Sequence, residues 1–154
     1  MPRNRHLIKD KSLPFIYNCE GRMVRPIFPI FISSSQNSKT INVNALLDTG
    51  SNKSCIVKEF ADRLGLLPIN QGIIIQASAV MNSIYSLNFI FSENLVYTNV
   101  QVMAIPKQPT VWGNYDVLIG MDIIRTGNLT INSASGNTLI AFEVKESENK
   151  NGVQ

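Results

Sequence analysis

The chain has 154 residues, which is enough for one domain with a sizeable core. Hydrophobic residues make up 44% of it, as in ordinary soluble proteins, and no apolar run reaches the roughly 20 residues that span a bilayer. The net charge of +3 is concentrated in residues 1–25, with six basic and two acidic side chains, whereas the remainder has eight and nine. A nucleic-acid surface requires basic residues clustered on the folded part. We therefore expect neither a membrane nor a nucleic-acid partner.

Residues that hold metals or act as nucleophiles are scarce. The two cysteines, Cys19 and Cys55, lack metal-ligand spacing, and the single histidine, His6, lies in the basic N-terminal stretch. We therefore predict no metal site, no cofactor and no Ser–His or Cys–His catalytic pair. The N-terminus lacks the apolar core of a secretion signal, so the expected location is cytoplasmic and the expected state of both thiols is reduced.

In chain order, the first predicted elements are an arm and a hairpin. Residues 1–22 carry few structural signals and are interpreted as a basic arm or a pro-segment. Residues 23–32 and 40–47 are two apolar runs separated by a polar turn, which predicts a β-hairpin. Pro26 and Pro29 interrupt the first run, and proline is confined to edge strands or bulges. The first strand is therefore predicted at an edge or a bulge.

The rest of the chain predicts many short strands and little helix. Residues 58–64 have the spacing of a helix that ends at Gly65. Strict alternation predicts one strand with an inward face of Tyr85, Leu87, Phe89 and Phe91. Further strands are predicted at 55–57, from 73, at 96–105 and at 117–119, then a short helix at 121–126, a final hairpin within 129–144 and a polar tail at 146–154. This pattern is typical of an all-β barrel or sandwich.

The most informative stretch is the end of the strand at residues 43–47. There an apolar run ends in Asp48, followed by Thr49, Gly50 and Ser51. A carboxylate at the end of a buried strand requires hydrogen-bond donors, and the next residues can supply hydroxyls and closely approaching N–H groups. Alone, an Asp-Thr-Gly turn is also common loop chemistry.

A second stretch changes this interpretation. Residues 116–124 form an apolar strand, Val-Leu-Ile, that ends at Gly120 and is followed by an apolar helix start. Together, the two stretches resemble the retropepsin-like aspartic proteases, in which a strand ending in Asp-Thr/Ser-Gly passes under a later strand ending in glycine. The resemblance covers roughly residues 26–144, in the family's order. It implies a closed acid-protease β-barrel with one or two short helices, over residues 23–145.

The resemblance also implies an activity, aspartic endopeptidase, with Asp48 as the catalytic residue. Aspartic proteolysis uses two carboxylates that share one proton, and this chain has no second Asp-Thr/Ser-Gly. The partner carboxylate would then be Asp48 of a second copy in a symmetric homodimer. The expected substrate is an extended peptide or protein segment.

Supporting roles follow from the same resemblance. Thr49 would make an interlocking contact across the dimer, Gly50 would present backbone to the carboxylates, and Ser51 would hydrogen-bond the aspartate. Residues 76–83 occupy the place of the flap, the hairpin that closes over a bound peptide. The flap and substrate-binding residues predicted there are Ala77, Ser78, Ala79, Val80 and Met81.

Some residues depart from the viral pattern. Asn52, Lys53 and Met121 stand where viral enzymes have bracing acids and an arginine, and the predicted flap lacks glycine. The chain resembles cellular and bacterial members more closely. Asp122 is the rival catalytic acid, although a helix-start role is favoured, and Asp116 is interpreted as a surface acid. The alternatives are a non-catalytic peptide-binding or dimerisation module on the same fold, or a plain β-barrel whose motif is coincidental.

Overall fold

The computed structural model describes residues 5–8, 14–34, 39–75, 79–107 and 113–144. This part of the chain contains eleven strands and two short helices. In order they are β1 (Arg5–Ile8), β2 (Phe15–Cys19), β3 (Ile27–Ser34), β4 (Thr40–Leu47), β5 (Cys55–Val57), α1 (Lys58–Arg63), β6 (Asn70–Ile75), β7 (Ala79–Ser92), β8 (Leu95–Ile105), β9 (Val117–Ile119), α2 (Met121–Ile124), β10 (Asn128–Asn132) and β11 (Thr138–Glu143). None of the helices in these ranges is long and apolar enough to cross a membrane.

Six strands close into a barrel. Their order is β8-β5-β9-β4-β3-β7, and β7 pairs back onto β8 to complete the ring. β1 adds to β8 and β6 adds to β7, while β10, β11 and β2 form a separate three-stranded sheet. Most pairs are antiparallel, but β4 and β9 run parallel, as do β5 and β8. The all-β closed barrel with two short helices that the sequence predicts is confirmed.

The core fills the barrel and continues under the three-stranded sheet. The predicted inward face of β7 is confirmed, because Tyr85, Leu87, Phe89 and Phe91 are all buried. Phe91 connects the two sheets, with its ring centroid 5.5 Å from that of Phe15 on β2. Because aromatic side chains bury large apolar areas, these contacts hold the three-stranded sheet against the barrel.

Local predictions are confirmed where short-range signals are strong. β3 and β4 form the expected antiparallel hairpin, and β10 and β11 form the final one. Helix α1 ends just before Gly65, whose φ of +63° suits glycine because it has no Cβ. The predicted tail at 146–154 lies outside the described residues, and the domain limits at residues 22/23 and 145/146 stay predictions.

The N-terminal stretch differs from the predicted arm. Within residues 1–22, β1 pairs with β8, and β2 pairs with β11 along its whole length. Phe15 is buried, and the ring of Tyr17 packs against that of Phe28. A five-residue strand has little order of its own, so its sequence signal is weak until a partner strand more than 100 residues away is present.

The predicted edge position of β3 is wrong for the strand as a whole, because β3 lies between β4 and β7. Pairing with β7 begins only at Phe31, whereas Pro29 is opposite Asn44 of β4 alone. The proline therefore occupies a segment with a partner on one side. Its missing N–H costs no ladder hydrogen bond to β7 there.

Candidate active site

The site forms where the parallel strands β4 and β9 end side by side. Leu47 and Ile119 are paired at the last position of the two strands, and the N–H of Asp48 donates to the carbonyl of Ile119 at 2.9 Å. Beyond the strands, the N–H of Met121 donates to the carbonyl of Ser51 at 2.7 Å. The loop after β4 is thus attached to the junction of β9 and α2 at two points.

Glycine is required where these two segments cross. A Cβ at Gly120 would lie 2.7 Å from both the carbonyl carbon and oxygen of Lys53, and 2.9 Å from the carbonyl oxygen of Ser51. Real Cβ atoms essentially never approach backbone atoms so closely. The pattern of two apolar residues followed by glycine therefore has a steric cause, since any side chain would push β9 away from the Asp48 loop.

Asp48 is half-buried, and one of its carboxylate oxygens is held. Its Oδ1 accepts a hydrogen bond from the N–H of Gly50 at 2.9 Å, as the Asp-Thr-Gly order predicted. The N–H of Ser51 donates to the Asp48 main-chain carbonyl at 3.2 Å. Among the described residues no further donor binds this carboxylate, so Oδ2 faces no protein hydrogen-bond partner there. The arrangement leaves an aspartate that is positioned and still accessible.

The residues beside Asp48 lie in different environments. Thr49 and Gly50 are both exposed on the surface of the chain. Ser51 departs from its predicted contact, because its Oγ donates to the carbonyl of Lys53 at 2.7 Å rather than to Asp48. The carbonyl two residues ahead is within reach in this tight loop, so the hydroxyl is used to close the loop.

A buried network that the sequence analysis missed holds the far end of the loop. Ser54 is 0% exposed, and its Oγ and N–H donate to the two carboxylate oxygens of Asp122 at 2.8 and 3.0 Å. The N–H of Gly120 donates to the same Oγ at 3.1 Å. The predicted helix-start role of Asp122 accounts for one contact, from the N–H of Ile123. A serine directly before the apolar strand β5 was the only signal in the sequence.

Neither rival acid is free to act as the second carboxylate. Both oxygens of Asp122 accept hydrogen bonds from Ser54. Asp116 lies at the start of β9, and its Oδ2 accepts from the N–H of Asn44 at 2.9 Å. Since Gly120 is at the other end of β9, Asp116 is directed to the end of the strand away from the Asp48 loop.

Cys55 lies next to the site, and its thiol is unreactive at neutral pH. Burial, together with the carboxylates of Asp122 and then Asp48, raises the pKa of its thiol to about 11, while the hydrogen bond with Ser51 acts in the opposite direction. The thiol is therefore protonated at neutral pH and is a poor nucleophile.

The predicted flap coincides with a hairpin. β6 and β7 are antiparallel, and their last pair is Ile75 with Ala79, so residues 76–78 connect them. Ala77 and Ser78 lie outside the described residues, and Ala79, Val80 and Met81 begin β7. The structure thus confirms a hairpin at this position, while its role as a flap stays a prediction.

Comparisons with known proteins agree with this geometry. The sequence model described as aspartyl protease matches residues 35–123, which is more than half of the chain. A crystal structure of a retropepsin-like aspartic protease from Rickettsia conorii aligns with a TM-score of 0.51 at 12% identity, covering 92% of this chain and 97% of that one. The solution structure of a simian foamy virus protease aligns with a TM-score of 0.41 at 18% identity, over 64% and 92% of the two chains. No curated protein sequence matches. The chain belongs to the aspartyl protease family, and its fold is similar to that of a retropepsin-like aspartic protease.

Proposed function

We propose that the protein is an aspartic endopeptidase that acts as a homodimer, with Asp48 of each subunit forming the catalytic pair. The observation that carries this proposal is the state of the Asp48 carboxylate. One oxygen is fixed by the N–H of Gly50, and the other has no donor among the described residues. A second carboxylate must come from outside this site, because Asp116 and Asp122 are both engaged elsewhere.

The chemistry follows from bringing two such carboxylates together. Two carboxylates about 3 Å apart cannot both ionise, so the pair shares one proton. The ionised member takes a proton from a water molecule, whose oxygen attacks the peptide carbonyl carbon. The protonated member donates a hydrogen bond to the carbonyl oxygen and stabilises the charge that develops on it.

The proposed substrate is a peptide in an extended conformation. An extended segment can pair with strand edges, which supplies main-chain hydrogen bonds independent of sequence. The hairpin of β6 and β7 would cover it, with Ala77, Ser78, Ala79, Val80 and Met81 as the predicted substrate-binding residues, and closure would exclude water from the reaction. Thr49, exposed beside Asp48, would contact the partner subunit at the base of the site.

Two further features belong to this proposal. We infer that the segment containing β2 is retained rather than removed as a pro-segment, because Phe15 is part of the core. The free cysteines Cys19 and Cys55 support a reducing, cytoplasmic location.

The decisive test is cleavage of a diverse peptide mixture from about pH 4 to 8, because the mechanism requires one member of the carboxylate pair to be protonated and the other to be ionised. Wild type, Asp48→Asn and the surface control Asp62→Asn would be compared, with products identified by mass spectrometry. Cuts made by wild type and Asp62→Asn but not by Asp48→Asn are the expected result. A folded dimer that binds these peptides without cutting them would overturn the proposal and favour the non-catalytic peptide-binding module.

A further inference from the structure

A small apolar cluster lies on the outer face of the strands that end at the candidate active site. Leu46, Cys55 and Leu118 are buried and form this cluster, which is separate from the barrel core. Leu46 and Leu118 are paired across β4 and β9, and they come two residues before Asp48 and Gly120. Since residues two apart in an extended strand lie on the same face, the cluster and Asp48 share one face of the barrel wall.

An arginine lies at the rim of this cluster. Tyr115 packs against the cluster, and the guanidinium carbon of Arg25 lies 5.4 Å from the centroid of the Tyr115 ring. Arg25 directly precedes Pro26, whose carbonyl accepts a hydrogen bond from the N–H of Leu47 at 3.0 Å. The backbone of the arginine is therefore fixed beside the strand end that carries Asp48, and its side chain is oriented by an aromatic ring.

Among the described residues, the charge of Arg25 is not paired with an acid. Asp116, the neighbour of Tyr115, accepts a hydrogen bond from the N–H of Asn44 instead. Arg25 is half-buried, so water reaches its guanidinium less freely than that of an exposed arginine. The edge of a stacked guanidinium presents a fork of N–H donors that matches a carboxylate in bidentate geometry. An oriented cation is thus available to a carboxylate that comes from outside this part of the chain.

We propose that Arg25 is a specificity-determining residue, which selects peptide substrates that carry a carboxylate close to the cleaved bond. This inference rests on the proposed function, because the peptide must lie over Asp48 to bring its carboxylate to Arg25. The substrate carboxylate accepts hydrogen bonds from the guanidinium, and such charge-assisted hydrogen bonds are roughly twice as strong as neutral ones. An Asp or Glu side chain and a free peptide C-terminus both supply this group, so the experiment separates these two sources.

The test compares three versions of one peptide mixture at about pH 6, where Asp and Glu side chains are ionised. The first version contains Asp and Glu and has amidated C-termini. The second replaces them by Asn and Gln, and the third has these replacements but free C-termini. We expect wild type to cleave the first version with a kcat/KM about tenfold above that of the second. A third version cleaved faster than the second would identify the C-terminus as a source, and equal rates for all three would overturn the proposal.

Substitutions at Arg25 assign the preference to its charge. Arg25→Gln should cleave the first two versions equally, Arg25→Glu should favour the second, and Arg25→Lys should keep most of the wild-type preference. Arg63→Glu is the matched control, because the guanidinium of Arg63 lies over the Phe60 ring at the same distance, 5.4 Å, on the exposed side of α1. This control should keep the wild-type preference. An acid preference that persists in Arg25→Gln would overturn the role of Arg25.

A binding measurement separates this inference from the proposed activity. Asp48→Asn protein is immobilised, and the peptides that it retains from the first two mixtures are quantified by mass spectrometry. Stronger retention of the acidic version, lost when Arg25→Gln is added, would support the inference even if wild type cut no peptide. Equal retention of both versions would overturn it. A dimer that dissociates in Arg25→Gln, as followed by analytical ultracentrifugation, would assign the guanidinium to the subunit contact and would also overturn it.

Discussion

Asp48 begins the loop after β4 and Asp122 lies in α2, and the surroundings of these two aspartates differ. Asp122 accepts hydrogen bonds from the N–H and the hydroxyl of Ser54 and from the N–H of Ile123. Asp48 accepts one, from the N–H of Gly50, among the described residues. Both are half-buried, so exposure does not distinguish them. The two aspartates differ in the number of hydrogen bonds that their carboxylates accept.

The difference separates a structural carboxylate from a reactive one. A carboxylate with three donors is stabilised where it is and has little capacity left for a substrate. A carboxylate with one donor is oriented, but its other oxygen lacks a hydrogen bond. This is costly unless a second group or a water molecule donates one. We infer that the Asp122 region holds the loop in place and the Asp48 region carries the chemistry.

Neutralising Asp48 tests most directly whether its role differs from that of Asp122. Asp48→Asn keeps the size of the side chain and an oxygen that can accept from Gly50. We expect peptide cleavage to fall by about 10³-fold or more, because a general acid–base group is lost. The free energy of unfolding, measured in urea, should change by less than about 0.5 kcal/mol. A large loss of stability would show that Asp48 has a structural role like that of Asp122.

A substitution at the crossing itself should have the largest effect on stability. Gly120→Ala places a Cβ 2.7 Å from the backbone of Lys53, so one of the two segments must move. We expect a loss of about 3 kcal/mol in the free energy of unfolding. Gly50→Ala is the control, because a Cβ there would contact only the Asp48 side chain, at 3.2 Å. We expect this variant to lose less free energy of unfolding than Gly120→Ala. Equal costs would mean that the close approach at Gly120 is not the critical contact.

The structural role of Asp122 predicts an effect of intermediate size. Asp122→Asn replaces one accepting oxygen by a donor and leaves a Ser54 group unpaired in a buried position. We expect a loss of about 2 kcal/mol, read from urea unfolding. Asp62→Asn removes an exposed ion pair with Lys58 and should cost less than about 0.5 kcal/mol. If both variants unfold alike, the Ser54–Asp122 contacts contribute no more than a surface pair.

The smallest predicted effect is on the pKa of the Cys55 thiol. Because both Asp122 and Asp48 raise this pKa, it reports on the two aspartates in one measurement. Its thiol pKa is about 11 in the fold against an ordinary value of 9.0, and Asp122 raises it more than Asp48 does. We expect Asp122→Asn to lower this pKa more than Asp48→Asn, as followed by the ultraviolet absorbance of the thiolate at rising pH. The reverse order would place the thiol closer to Asp48.

The same shift predicts how stability changes with pH. Because the folded pKa is raised, the protonated thiol favours the fold; its contribution is fully present below about pH 9 and is lost as the pH rises to about 11. The urea midpoint of wild type should fall over that interval. The urea midpoint of Cys55→Ala should fall less than that of wild type over the same pH interval. An equal fall in both proteins would show that another group causes the pH dependence.

Much of this fold could be predicted where the signal is local. The alternation from Tyr85 to Phe91 and the Asp-Thr-Gly after β4 each depend on a few neighbouring residues, and both are found as predicted. The second strand, β9, was found because its apolar run ends at Gly120. Steric contact with Lys53 requires glycine there, so the constraint is visible in the sequence.

Other features depend on partners far apart in the chain. Ser54 and Asp122 are 68 residues apart, and each alone is an ordinary polar residue near a strand or a helix. β2 has a clear role only beside β11, and the edge position predicted from Pro29 was wrong because β7 joins β3 beyond the proline. Such pairings are set by which surfaces the whole fold buries.

The sequence by itself determined the Asp-Thr-Gly turn at Asp48, the strand that carries it and the glycine at the end of β9, because these depend on local hydrogen bonding and on the steric limits of a single residue. Only the tertiary structure decided which carboxylate is saturated, how the N-terminal strands join the core and which aromatic ring lies against Arg25. Those properties depend on the donors, side chains and strands that distant segments bring to one place, and a linear pattern does not contain that information.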